Sequence, residues 1–129
     1  MHIKPMEWSV YLTALDEWEF DACTLQWVGG VEGDPYQIWH SSQATRKNSS
    51  NFVGFASPEA DALIEEGRRT LDKQARYAIY RRFHAILHEE QPYTFLIAGT
   101  ARIAQSRKFM NARVFPDGMD SSLQWIRQQ

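Results

Sequence analysis

Cysteine occurs once in this sequence, at Cys23, so neither an internal disulfide nor a multi-cysteine metal site can form. Charge of one sign is missing too. The 14 Lys and Arg against 16 Asp and Glu leave a formal net charge of -2. Without a basic field, nucleic-acid binding has no electrostatic support. No apolar run approaches the roughly 20 residues of a membrane-spanning helix. The opening MHIKPMEWSV lacks the long apolar stretch of a secretory signal.

Catalytic patterns are missing as well. His84 and His88 stand four apart on a helical stretch, but Ala85 occupies the place where a zinc-protease helix carries glutamate. His40 is a histidine that folding could bring to them as a third ligand of a metal-dependent enzyme; two solvated imidazoles are the plainer reading. The GGVEG run, Gly29 to Gly33, has neither a following Gly-Lys-Ser/Thr nor GxGxxG spacing. No serine-nucleophile motif is present. Glu65-Glu66 and Glu89-Glu90 have arginines close by and read as solvated helix faces. Cys23, between apolar neighbours, reads as a buried, inert thiol. Neither a catalytic group nor a cofactor is expected.

What is there fits one soluble α/β domain over residues 1–129, with 43% hydrophobic and 23% charged residues. Aromatics reach 13%, including five tryptophans. Met6 to Trp18 has helical spacing of its apolar residues. Phe20 to Val28 alternates, is rich in β-formers and stops at Gly-Gly, which predicts a strand. Asp34-Pro35 restarts a helix, with Asp34 as cap and Gln37 at the capping-box position. Ser41 to Asn51, polar with two basic residues, reads as an exposed loop. Ser57-Pro58 opens a further helix that buries Ala62, Leu63 and Ile64.

Asp72 to Glu90 carries the clearest helical stripe: Ile79, Tyr80, Phe83, Ile86 and Leu87. Pro92 marks its exit, and Tyr93 to Gly99 reads as a buried strand. Turn signals recur at Pro116-Asp117-Gly118. The order helix, strand, three helices, strand is α/β in character. In such folds, a strand end, a glycine loop and a helix start frame a ligand crevice. Trp27 and Trp39 serve either as its flat walls or as core packing.

The run FDACTLQWVGGVEGDPYQIWHSSQ, and NFVGFASPEADALIEEGRRTLDKQARYAIYRRFHAILHEEQPYTFLI after a polar gap, resembles the C-terminal part of a known family. That family is the extracellular solute-binding proteins of bacterial peptide- and nickel-type ABC importers. The resemblance covers Met6 to Ile97: a strand ending in tryptophan, an Asp-Pro helix, an Asn before an aromatic–Gly–aromatic element, P-E-x-D, a long helix and a Pro-aromatic strand.

It implies a fragment of one lobe of a two-lobed periplasmic-binding-protein fold. The parent would be several times longer, would be exported to the periplasm or cell envelope by a signal outside this chain, and would take up peptides or other small solutes without catalysis. A membrane permease would be its partner, faced by helices bearing Arg68, Arg69, Arg81 and Arg82. By the same resemblance Trp27, Val28, Gly29, Gly30, Glu32, Trp39 and Asn51 are ligand-binding candidates, and Asp61 is structural. The family's anchor aspartate has no counterpart, since Gly29 and Gly30 stand there; either the anchor is missing or Glu32 supplies the charge. A fragment cut from its lobe is also expected to self-associate. The alternative is a stand-alone cytoplasmic α/β module whose exposed aromatics meet a protein partner.

Overall fold

The computed structural model describes residues 2–28, 33–100, 102–115, 118–120 and 125–126. They form two compact units, Met1–Gln26 with Asp34–Phe95, and Trp27–Gly33 with Leu96–Gln129.

The first unit is helical. Helix α1 spans Trp8–Asp16, where the Glu7 carboxylate accepts the Ser9 N–H at 2.9 Å and so satisfies a free donor of the first turn. The short α2, Tyr36–Trp39, follows Asp34, whose Oδ1 accepts the Tyr36 N–H at 3.0 Å. One 3-10 turn, Ser41–Gln43, comes next. Helix α3, Pro58–Arg69, starts as expected, with Ser57 Oγ accepting the Ala60 N–H and Pro58 in the first turn. Its buried face is Ala60, Leu63, Ile64 and Gly67, whereas Ala62 is exposed, against expectation. Ala60 is three residues before Leu63 and Gly67 four after it, so the face runs through 60-63-64-67 and turns Ala62 outward. Helix α4, Lys73–Glu90, is capped by Asp72, which accepts the Ala75 N–H at 2.8 Å. It ends at Gln91 in the left-handed region (φ 45°), just before Pro92.

Helices α3 and α4 pack Ala60, Leu63 and Ile64 with Ile79, Phe83 and Leu87, joined by Trp39 and Phe55. Trp39 meets Phe55 edge-on, with ring centroids 5.6 Å apart at 87°. The helices touch at Gly67, where the Tyr80 ring lies on the bare Cα: a Cβ there would come within 2.8 Å of Tyr80 Cζ and 3.0 Å of Oη. Gly67→Ala should therefore destabilise by about 1–3 kcal/mol through overpacking, although alanine gains ~1 kcal/mol of helix propensity. Denaturant unfolding checks it. Combining it with Tyr80→Ala should remove most of the clash, and a stabilised Gly67→Ala single variant would contradict this packing.

Burial, followed by the negative charge of Asp34, raises the pKa of Tyr80 against the opposing pull of Arg76 and Arg68. Burial also raises that of Tyr11, with Cys23 beside it. A raised pKa means the fold holds the proton more tightly than the unfolded chain. That stability is complete below about pH 10 and disappears as pH climbs through the folded value. Unfolding measured from pH 7 to 11 should be flat and then fall, less steeply in Tyr80→Phe. An unchanged slope in that variant would contradict the assignment.

The second unit holds two antiparallel ladders. Strand β2, Arg113–Phe115, pairs with β3, Gly118–Asp120, in the register Phe115↔Gly118 and Arg113↔Asp120. Strand β1, Phe109–Met110, pairs with β4, Trp125–Ile126. The turn expected at Pro116-Asp117 lies outside the described residues, but the strands on either side of it pair.

Helix and sheet are thus both present, as an α/β reading requires, but the strands are not where they were expected. Phe20–Val28 and Tyr93–Gly99 form no ladder among the described residues. A strand exists only where another segment supplies partners for its N–H and C=O groups, and β-propensity cannot provide them. Nor is the second segment buried: Ile97 is 90% exposed. Cys23 is exposed rather than buried for the same reason. No helix among the described residues is long and apolar enough to cross a membrane.

Candidate ligand cleft

The polar stretch Ser41 to Asn51 is exposed at Ser42 and at Thr45 to Asn48, as its composition led one to expect, but it is tacked down on either side of that tip rather than loose. Gln43, Ala44, Ser49 and Asn51 are buried. Asn51, 1% exposed, uses both ends of its amide on Phe55: Nδ2 donates to the carbonyl and Oδ1 accepts the N–H, each at 2.8 Å. Ser49 Oγ accepts the Asn51 N–H at 3.0 Å. Side-chain bonds of this kind replace a ladder, so polar residues can be buried without regular structure.

His40 is buried at the start of the stretch. Its ring stacks on Tyr36 at 4.2 Å, and the Arg68 guanidinium lies over the Tyr36 ring at 4.4 Å. The Ser42 N–H donates to His40 Nδ1 at 3.1 Å, which leaves the proton of a neutral imidazole on Nε2, facing Glu65 Oε1 at 3.5 Å. Tyr36 Oη and Ser42 Oγ are 3.0 Å apart. Asp61 Oδ1 accepts the Ser41 N–H at 2.8 Å, a structural use that ties α3 to the loop. His84 and His88 lie on the exposed side of α4, and among the described residues no group of three His, Cys, Asp or Glu is placed to hold a metal.

Between α2 and the loop lies an open cleft of about 490 Å³. Asp34, Tyr36 and Gln37 form one wall; Gln43, Arg46, Lys47 and Asn48 form the other. Asp34 is fully engaged, with Oδ1 on the Tyr36 N–H and Oδ2 on Arg68 Nε at 3.1 Å. Asn48 is left-handed (φ 57°), and its N–H donates to Asp16 Oδ1 at the end of α1. The chemistry of these walls is hydrogen bonding and positive charge, with no nucleophile paired to a base.

Among curated proteins, the chain is similar to oligopeptide-binding protein AppA of Bacillus subtilis, 33% identical over 93 residues. That alignment covers 70% of this chain and 17% of the relative. Di/tripeptide-binding protein 1 of Pseudomonas aeruginosa is 26% identical over 121 residues, covering 92% of this chain and 22% of that protein. The chain is related to peptide-binding proteins. A third such relative, the dipeptide-binding protein of Escherichia coli, is 25% identical over 100 residues, 76% of this chain and 18% of its own length. The chain therefore spans about a fifth of the length of the curated relatives it matches. No protein-family model matches it, and no solved structure matches it significantly.

Within this relative of the peptide-binding proteins, the seven residues singled out from sequence fall into three groups. Trp39 and Asn51 converge on Phe55, one through its ring and the other through its backbone. Trp39 is buried in the helical core. Trp27, 41% exposed, and the freely exposed Val28 belong to the second unit. Gly29, Gly30 and Glu32 lie outside the described residues. Sequence reasoning missed Tyr36, Gln37, Gln43, Arg46, Lys47 and Asn48 as cleft walls. The available signal was the Arg46-Lys47 pair, set among neutral amides and hydroxyls with no acidic residue between Ser41 and Asn51.

Proposed function

We propose that this chain is a ligand-binding part of one lobe of a larger solute-binding protein, which captures peptides or similar solutes for an ABC importer. The observation carrying the reading is the similarity to three proteins named for peptide binding, each far longer than the matched segment. In this reading the parent has two lobes that close on the solute about a hinge. It works in the periplasm or cell envelope and delivers its cargo to a membrane permease.

Capture needs no catalytic group. Backbone hydrogen bonds hold the peptide irrespective of its side chains, and a few polar groups and aromatic walls orient it. Trp27, with the segment Val28, Gly29, Gly30 and Glu32 after it, is assigned to line the parent's cleft; Trp39 and Asn51 brace it.

The test is to purify the whole gene product under mild conditions, release its small molecules with acid and weigh them by mass spectrometry. Short peptides or related solutes are expected. A protein that carries none, and that takes up none when peptides are supplied, would count against capture. The lobe assignment has its own test in the gene: the reading frame should run on well upstream of Met1 to an apolar signal segment. A stop codon directly before Met1 would instead favour a stand-alone interaction module, for which the exposed Trp8 and Trp18 offer a contact patch.

A further inference from the structure

We propose that the cleft between α2 and the Ser41–Asn51 stretch is an anion subsite, in which Arg46 and Lys47 take a carboxylate of the solute and Gln37, Gln43 and Asn48 hydrogen-bond it. This rests on the capture reading for the nature of the solute, and on the cleft itself for its charge.

The charges decide the sign. Asp34 is the one acidic residue among the walls, and both its oxygens are engaged, one by the Tyr36 N–H and the other by Arg68. Asp16, next to Asn48, is engaged by the Asn48 N–H. Among the described residues no carboxylate lies within ion-pair distance of Arg46 or Lys47. Two adjacent cations therefore open onto one cleft with no carboxylate in ion-pair distance among the described residues, an arrangement that an entering anion relieves.

The walls fit the same ligand. Amide side chains donate to carboxylate oxygens, and Arg46 offers a planar fork that matches a carboxylate in two bonds. The cleft volume of about 490 Å³ lies within the range of small-molecule sites, roughly 300–1,000 Å³. The backbone that carries them is also held in place. The stretch bearing them is anchored by buried Gln43 and Ala44 before it and by Ser49 and Asn51 after it. Backbone bonds from Gln43 to His40 and from Ala44 to Ser41, 2.9 and 3.0 Å, fix its first turn. A loop fixed in this way loses less freedom on binding than a mobile one.

A peptide offers a carboxylate from two sources, its C-terminus or a Glu or Asp side chain, and the experiment separates them. The 129-residue chain, labelled with nitrogen-15, is titrated with glutarate, with glutaramide, with Ala-Ala-Ala and with Ala-Glu-Ala-amide, while backbone NMR peaks are followed. Saturable shifts clustered at residues 34–48 are expected with glutarate, and binding about tenfold weaker, ~1.4 kcal/mol, with the neutral diamide. Arg46→Gln with Lys47→Gln should abolish the difference while leaving the remaining peaks in place.

Ala-Ala-Ala binding better than Ala-Glu-Ala-amide assigns the site to a C-terminus, and the reverse assigns it to an acidic side chain; either supports the subsite. Equal affinity for glutarate and its diamide overturns the proposal, as do shifts that ignore the double variant. The two readings fail separately. If the whole gene product binds peptides with both ends blocked and no acidic side chain as well as free ones, capture stands and the subsite falls. If glutarate binds here but no peptide binds the whole product, the subsite stands and capture falls.

Discussion

Replacing Asn51 by alanine should lower stability by about 2–6 kcal/mol, the sum expected for two buried backbone groups left without partners at about 1–3 kcal/mol each. Phe55 N–H and C=O both bond the Asn51 amide at 2.8 Å, and the side chain is 1% exposed, so water cannot replace it without opening the loop. The loss is measured by urea unfolding, and it should be accompanied by faster amide exchange through residues 49–55. Asn51→Asp sharpens the test. Its carboxylate can still accept the Phe55 N–H, but the oxygen replacing Nδ2 would face the Phe55 carbonyl. Protonation relieves that repulsion, so the introduced group's folded pKa is raised above ~3.9. The variant should therefore be weakest at neutral pH and regain stability as pH falls through that folded value. A variant whose deficit is constant with pH would contradict the amide orientation.

Phe83→Ala should be comparably damaging, costing about 3–5 kcal/mol. Phe83 is 2% exposed in the cluster that joins α4 to α3, with Leu63, Ile64 and Leu87. The substitution removes the largest side chain that α4 contributes to this core and leaves a cavity that two capped helices cannot easily close. For a domain at the low end of the usual range of about 5–15 kcal/mol, such a loss unfolds a large share of molecules. Thermal unfolding followed by circular dichroism reads it. By contrast Phe83→Leu, which keeps most of the volume, should retain the fold at a lower melting temperature. Equal melting temperatures for the wild type and Phe83→Ala would mean that the α3–α4 interface is not the centre of the core.

The helices were legible in the sequence because their signals are local. Ser57-Pro58 and Asp72 supply caps to their own chain three residues on, and Ile79, Phe83 and Leu87 announce the buried face of α4 by spacing alone. Strands are a different matter. Phe20–Val28 and Tyr93–Gly99 have the composition of strands, yet pairing depends on a second segment that composition does not reveal. The ladders that do form lie in the tail, where single aromatic and β-branched residues gave little periodicity.

The polar loop misled for a related reason. Gln43, Ser49 and Asn51 look solvated by type, yet they are buried: Ser49 and Asn51 bond neighbouring backbone, and Gln43 Nε2 donates to Ser42 Oγ. The cleft was therefore only half legible. Asp34 was correctly read as a cap, but the walls contributed by Arg46, Lys47 and Asn48 depend on that loop being fixed.

Peptide capture without chemistry is the central claim, and isothermal titration of the whole gene product with defined di-, tri- and pentapeptides tests it most directly. The account predicts saturable binding at micromolar concentration or below, about -8 kcal/mol or stronger, with every peptide recovered intact. Absence of binding across the whole series, or recovery of cleaved peptide, would contradict it.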